Sequence, residues 1–148
     1  MNVTIRQIEL DEIDLIIQVV NHLPEFSSIF YKQDLRRKLE KRESILLVAE
    51  QHNQPIACIV CYNRYYDASV FIWQVSVLPE FRNHGIANTL FLEMEIIARR
   101  RLFLSIRMQA RNKDQSLLYF ALRNQFEING FHANEHRSES KIVLIKML

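Results

Sequence analysis

Three strand-like segments follow one another between residues 44 and 77, and this run constrains the fold more than any other feature. The segments SILLVAEQ (44–51), PIACIVCYNRYY (55–66) and SVFIWQVSV (69–77) are rich in β-branched and aromatic residues. Their linkers hold three and two residues, too few for a crossover helix. The three strands must therefore form an antiparallel meander, which excludes an all-helical fold and a purely parallel sheet.

Further elements are predicted on both sides of this meander. Before the meander, apolar spacing predicts a strand over 3–8, a helix that Asp11 can cap and a charged helix over 31–42. After the meander it predicts a long amphipathic helix. The later segments are a strand, a helix and a closing hairpin, over 102–109, 113–124, 126–133 and 141–148. The order β-α-α-β-β-β-α-β-α-β-β predicts an α+β (mixed α/β) fold with about seven strands in a mixed, mostly antiparallel sheet, flanked by four helices. At 148 residues, we expect one domain over 1–148.

Composition limits the classes of partner. Hydrophobic residues make up 49% and charged residues 24%, as in ordinary globular domains. The net charge of +2 is too small to imply a nucleic acid partner. No apolar run could span a bilayer, and the N-terminal residues lack the order of a signal peptide. We therefore expect a cytoplasmic protein with no membrane partner.

The two cysteines, Cys58 and Cys61, have the C-x-x-C spacing of some metal and redox sites. They lie in a predicted strand, where residues three apart point to opposite faces. We therefore expect two buried, reduced thiols, no metal site and no disulfide.

The segment from Val75 to Ala87 runs from a strand through a turn into the start of the long helix. The first turn of a helix carries unpaired N–H groups and the positive end of the helix dipole, so it can bind an anion. Gly85 would allow a phosphate to approach the backbone closely, and Arg82 and His84 add positive charge. The segment therefore predicts a pyrophosphate site. It lacks the lysine of a Walker loop and the glycines of a dinucleotide turn.

Val77-Leu78-Pro79 followed by Arg82-x-x-Gly85-x-Ala87 resembles the signature of the GCN5-related N-acetyltransferase (GNAT) family, and the predicted element order matches that family. The resemblance implies acetyl-CoA as co-substrate. The strand residues would pair with its pantetheine amides, and a nearby backbone N–H could stabilise the oxyanion; the turn residues would hold its pyrophosphate. The implied cofactor-binding residues are Val75, Val77, Arg82, Asn83, His84, Gly85, Ile86 and Ala87.

Many family members protonate the leaving thiolate with a tyrosine four residues before a Gly-Phe pair. If Gly130-Phe131 is that pair, the tyrosine position is Phe126; if Gln125-Phe126 fills the role, the position is Ala121. The second arrangement is favoured because it leaves 126–133 as an alternating strand. Tyr119 lies two residues from Ala121, about 200° round the helix, and is the candidate acid if the helix is shifted.

Many members also use a glutamate on the strand before the signature as the base. Here that strand has no carboxylate, and Gln74 can orient a water but cannot accept its proton. Glu25, in the loop between the first two helices, is the first candidate for the base, and Asp67 is the second.

The resemblance predicts an N-acetyltransferase in which a primary amine attacks acetyl-CoA directly in a ternary complex. The alternatives are an acyl-CoA-binding sensor with little activity, or an RNA-directed (aminoacyl-tRNA) acetyltransferase using the basic helix over 36–42. The expected partners are acetyl-CoA and an amine-bearing small molecule or peptide, and the chain could form a homodimer. Aromatic residues that could line the acceptor pocket are Phe26, Phe30, Tyr31, Tyr62, Tyr65, Tyr66 and Trp73.

Overall fold

The computed structural model describes residues 2–24 and 32–148. The helices in these residues are Asp14–Asn21 (α1), Lys32–Leu39 (α2), Ile86–Arg100 (α3) and Gln115–Arg123 (α4). The strands are Thr4–Ile8 (β1), Ser44–Gln51 (β2), Gln54–Tyr62 (β3), Ser69–Val77 (β4), Ser105–Arg111 (β5), Glu127–His132 (β6) and Lys141–Met147 (β7). The predicted element order is confirmed.

The strands form one seven-stranded sheet in the order β1-β2-β3-β4-β5-β7-β6. The pair formed by β4 and β5 is parallel and every other pair is antiparallel. The meander over β2, β3 and β4 is confirmed. The mixed, mostly antiparallel α+β architecture expected from the sequence is therefore the observed one.

The sheet separates two hydrophobic cores. Leu90, Phe91 and Met94 of α3 are buried against one face, and Ile16 of α1 and Leu35 of α2 against the other. This arrangement follows from the apolar stripe of each helix. Within residues 2–24 and 32–148, no helix is both long and apolar enough to cross a membrane.

The two cysteines lie on opposite faces of β3, as the strand argument requires. Cys61 belongs to the core beneath α3, and Cys58 to the core beneath α1 and α2. Both are free thiols, and burial raises the pKa of Cys58 to about 12 and raises that of Cys61 as well. Neither thiol is therefore a ready nucleophile at neutral pH.

Residues other than glycine take the left-handed conformation that ends α3 and α4. Leu102 has φ +66° after α3, so β5 starts at Ser105 and not at 102. Gln125 has φ +69° after α4, and the N–H of Phe126 donates to the carbonyl of Ala121 at 3.0 Å. The structure therefore has the arrangement in which Gln125-Phe126 ends α4.

Two other boundaries were predicted wrongly. Asp11 does not cap α1: it lies in a short 3-10 turn, and α1 begins at Asp14 with Ile13 at the N-cap position. β3 ends at Tyr62 and not at 66, because the chain turns there and Tyr66 adopts φ +53°.

Candidate active site

The parallel strands β4 and β5 pair over three residues only and then separate. The register joins Ser69 to Ser105 and ends where Phe71 faces Arg107. Beyond that point β5 pairs with β7, and β4 pairs only with β3. The centre of the sheet therefore contains a gap, bordered on one side by the second half of β4.

The backbone of β4 presents hydrogen-bonding groups to this gap. The N–H of Leu78 donates to the carbonyl of Ile56 at 2.9 Å, which makes Ala57 and Val77 a non-hydrogen-bonded pair of the antiparallel ladder. Val77, and by alternation Val75, therefore direct their own N–H and C=O groups away from β3. These are the positions that a ligand with amide groups could pair with as an added strand.

A tight turn leads from the end of β4 into α3. It passes through a 3-10 turn over Pro79–Phe81, and Asn83 and Gly85 then adopt left-handed conformations with φ +64° and +78°. Asparagine and glycine tolerate this conformation better than other residues do. The turn brings the N-terminus of α3 next to the free edge of β4.

The start of α3 has the properties of an anion site. The backbone N–H groups of residues 83–88 donate to no atom of the residues that the structure describes. A Cβ added at Gly85 would meet nothing within 4 Å, so the space in front of these donors is open. Donors, open space and helix dipole together fit the pyrophosphate of acetyl-CoA.

The two basic side chains of the turn brace its backbone. The Nε of Arg82 donates to the carbonyl of Val77 at 2.9 Å, and His84 Nδ1 lies 3.3 Å from the carbonyl of Phe81. Arg82 thus already uses one of the two acceptor sites of the Val77 carbonyl, and the N–H of Val77 still faces the gap. The sequence predicted these residues as binding groups; the structure adds that Arg82 holds the strand and the turn together.

One face of the sheet beside the gap carries the polar and aromatic groups of β4. Gln74 and Ser76 lie opposite Val60 and Cys58, so they face α1 and α2, and Gln74 Nε2 donates to the hydroxyl of Ser76 at 2.5 Å. A bulge at Trp73 places its half-buried ring on this face as well. An acceptor amine would approach the gap from this side.

The structure describes the candidate acid but not the first candidate base. Tyr119 is 69% exposed, whereas Ala121, at the position where the resemblance implies a tyrosine, is fully buried. Glu25, Phe26, Phe30 and Tyr31 lie outside the described residues.

Asp67, the second candidate base, is committed to another role. Its carboxylate accepts from the N–H of Ser69 at 2.8 Å and from the hydroxyl of the same residue. The hydroxyl bond above all, and then the N–H bond, lower the pKa of Asp67. A carboxylate so stabilised in its charged form is a poor acceptor for an amine proton.

Two arginines beside the gap were missed from the sequence. Arg107 faces Phe71 at the last β4–β5 pair, and its Nε is buried with no hydrogen-bond partner among the described residues. Arg64 lies 4.7 Å from the ring centroid of Phe71, in the loop between β3 and β4. The only signal for Arg107 was alternation, since Ile106 and Met108 are buried on the opposite face.

A family model described as the Acetyltransferase (GNAT) family matches residues 10–119. That is most of the chain, and it includes the turn into α3. The chain therefore belongs to the GNAT acetyltransferase family, for which acetyl-CoA is the co-substrate, as the sequence predicted. No curated protein sequence is similar enough to the chain to count as a match.

Many solved structures share this fold, among them three that are at most 20% identical in sequence. The ribosomal-protein-S18-alanine N-acetyltransferase of Escherichia coli is 11% identical, with a TM-score of 0.82 over 99% of this chain and 94% of that one. The PaiA N-acetyltransferase of Thermoplasma acidophilum, in complex with coenzyme A, is 17% identical, with a TM-score of 0.76 over all of both chains. A GNAT acetyltransferase of Elizabethkingia anophelis with acetyl-CoA bound is 20% identical, with a TM-score of 0.74 over 99% of each chain. At such identities the likeness shows the fold alone.

Proposed function

We propose that the chain, as one N-acetyltransferase domain, moves the acetyl group of acetyl-CoA to a primary amine. The observation that carries the proposal is the juxtaposition of two unfilled sets of backbone donors. One set is at the start of α3 and the other is on the free edge of β4. A pyrophosphate and a pantetheine arm joined in one molecule would fill both sets.

The residues of this site divide the work of binding. The backbone of Asn83, His84, Gly85, Ile86 and Ala87 would hold the pyrophosphate. The N–H of Arg82, which the sequence placed in this set, instead donates to the carbonyl of Pro79 at 3.2 Å. Val75 and the N–H of Val77 would pair with the pantetheine amides. The thioester would then lie near the point where β4 and β5 separate.

The proposed reaction is a direct transfer in a ternary complex. The amine nitrogen bonds to the thioester carbon, the C–S bond breaks, the sulfur leaves as a thiolate, and the amine gives up one proton. A covalent acetyl-enzyme is disfavoured because both thiols of the chain are buried, with raised pKa values. A cytoplasmic location, where thiols stay reduced, is part of the proposal.

We expect Tyr119→Phe to reduce kcat by about tenfold or less, and Glu25→Gln to reduce it more, mainly at low pH. The exposed hydroxyl of Tyr119 is not needed if the thiolate leaves unprotonated or takes a proton from water. A base matters most at low pH, because the amine is then protonated and cannot attack. The measurement is a pH–rate profile of the wild type and both variants. A thousandfold drop in folded Tyr119→Phe would instead make Tyr119 the acid.

The proposed function is tested by CoA release. Purified protein is incubated with acetyl-CoA and a panel of amines, polyamines, amino acids and peptide N-termini. The CoA released is measured, and the products are identified by mass spectrometry. N-acetylated product from at least one acceptor is expected. Tight binding of acetyl-CoA with no turnover across the panel would favour the acyl-CoA sensor instead.

A homodimer through the edge strand β6 is also proposed. Ile128 and Phe131 are each 58% exposed, and because a bulge lies between them they face the same side of the sheet as Leu144 and Ile142. Exposed apolar residues on a sheet edge commonly pair with another chain. Light scattering is expected to give twice the monomer mass, and Phe131→Lys to give the monomer. A monomer at every wild-type concentration would contradict this.

A further inference from the structure

A group of cationic side chains surrounds the acceptor side of the gap. One surface cavity of about 540 Å³ is lined by four cationic residues and a single carboxylate: Arg37, Lys38, Arg42, Arg64 and Asp34. A second cavity, of about 320 Å³, lies on the other side of Arg64 and also contains Gln109 of β5 and Lys141 of β7. Arg64 thus stands between two hollows on the face from which an acceptor would arrive.

The arginines of this face are held by aromatic rings. The Cζ atoms of Arg64 and Arg107 lie 5.7 and 5.6 Å from the centroid of the Tyr65 ring, so one ring holds both guanidinium groups. Arg42 donates to the carbonyl of Arg64 at 3.1 Å and fixes the loop. Stacking on a ring leaves the edge of a guanidinium, with its N–H groups, free to bind an anion.

Nearby carboxylates only partly offset the positive charge of these arginines. The pKa of Asp67 is lowered by its hydrogen bonds from Ser69 and also by the charge of Arg107, so Asp67 is ionised and balances part of the charge of Arg107. Glu139, in the second cavity, is bonded by Lys113 and Arg111. The Nε of Arg107 is buried and has no acceptor among the described residues, which is unfavourable, whereas the residue as a whole is only half-buried. A carboxylate that binds the accessible part of this guanidinium, with a small shift of the side chain, would supply the acceptor.

We propose that the acceptor is a primary amine that also carries a carboxylate, as a free amino acid or an acidic peptide does, and that Arg107 and Arg64 bind this carboxylate. The inference rests on the proposed acetyl transfer and names the substrate class for it. A planar carboxylate matches the fork of an arginine, and a polyamine would be repelled by the same cluster. Nearby positive charge also favours the neutral form of the amine, the form that attacks. This compensates for the missing carboxylate on β4.

The first experiment compares acceptors that differ only in charge. Leucine is compared with leucinamide, and a peptide beginning Ala-Glu with one beginning Ala-Gln; spermidine is the cationic probe. We expect kcat/KM to be at least tenfold higher for the carboxylate in each pair, through a lower KM. The amide of an amino acid has the less basic amine, so this difference works against the expected result. Equal or better use of the uncharged partners or of spermidine would overturn the proposal.

The second experiment uses variants with a matched control. Arg107→Gln is expected to remove the preference for the carboxylate, and Arg107→Lys to restore only part of it, because lysine keeps the charge without the fork. If Arg107→Gln does not fold, Arg64→Gln replaces it: Arg64 lies in an exposed loop, and its loss is also expected to remove the preference for the carboxylate. Arg123→Gln, which removes an exposed charge at the end of α4 outside both cavities, should retain the preference. If Arg123→Gln lost the preference for the carboxylate while Arg107→Gln and Arg64→Gln kept it, the proposal would be overturned.

A binding measurement separates this proposal from the acetyl transfer on which it rests. The chain has one tryptophan, and the Nζ of Lys38 lies 5.4 Å from the centroid of its ring, so Trp73 fluorescence should report a ligand in the first cavity. Leucine or the acidic peptide could bind to the CoA complex more tightly than the uncharged partner while no amine is acetylated in the assay with acetyl-CoA. That pair of results would support the carboxylate site and refute the acetyl transfer. If no carboxylate changed the fluorescence of Trp73, the carboxylate site would be refuted. Binding of tRNA with a steep salt dependence, and no binding of carboxylates, would refute it as well.

Discussion

A Gly85→Val variant is expected to lose acetyl-CoA affinity by more than a hundredfold. The Cβ at this position would point into the open space in front of the N-terminus of α3, where the phosphate oxygens would lie. Each hydrogen bond to a charged group contributes about 1.5–3 kcal/mol, so losing two reaches this factor. Isothermal titration calorimetry with acetyl-CoA gives the affinity, and circular dichroism reports whether the variant is folded.

Strain must be separated from the loss of space, because Gly85 has φ +78° and valine is poorly tolerated there. Gly85→Asn provides this control, since asparagine accepts the left-handed conformation and still fills the space. An electrostatic control is Asn88→Asp in the first turn of α3. Its charge favours the helix and opposes the pyrophosphate, so it should raise Tm while weakening affinity by about fivefold or more. Affinity as in the wild type in folded Gly85→Asn would refute the proposed pyrophosphate site.

Removing Glu95 from its ion pair with Lys146 is expected to destabilise the protein by about 3–5 kcal/mol. Removing Lys146 is expected to cost less, because Arg99 still lies 3.7 Å from the Glu95 carboxylate. The pair joins α3 to β7 at 2.8 Å, and its side chains are only 10% and 13% exposed. The Nζ of Lys146 also lies 5.3 Å from the centroid of the Phe91 ring. Glu95→Ala would leave this largely buried ammonium over a ring with no counter-charge. Urea unfolding measures the change in free energy.

A double variant and an exposed pair make this prediction specific. Glu95→Leu combined with Lys146→Met should cost much less than Glu95→Ala alone, since no buried unpaired charge is left behind. Arg37→Ala breaks an ion pair with Asp34 whose side chains are 77% and 62% exposed, and it should change stability by less than about 1 kcal/mol. A Glu95→Ala change as mild as Arg37→Ala would contradict the prediction.

The sequence predicted the sheet and the turn into α3 because both rest on local signals. Short linkers force the meander, and a strand followed by Pro79, Gly85 and a long apolar stripe defines the start of α3. Helix ends were harder to predict, since Leu102 and Gln125 adopt the left-handed conformation where glycine is the usual signal. Nothing in a single sequence shows that surrounding packing imposes this conformation on a leucine.

The acceptor side of the site could not be predicted for a different reason. Arg64 and Arg107 lie 43 residues apart, and they meet only because β4 and β5 are parallel neighbours that separate after Phe71. Alternation placed Arg107 on the face opposite Ile106, but it could not show which loop would cover that face. The ring of Tyr65 contacts both arginines, and this contact exists only in the folded chain, so the sequence could not indicate it.

The early end of the β4–β5 pairing has a consequence for the protein without its ligand. Val75 and Val77 then form an open strand edge in the interior of the sheet, where most proteins have none. Such an edge can capture an extended segment of another polypeptide as readily as a pantetheine arm. Amide hydrogens there should exchange quickly in the free protein and slowly once CoA is bound. The coenzyme would therefore also protect the chain from aggregation, and its supply would influence how long the folded protein survives.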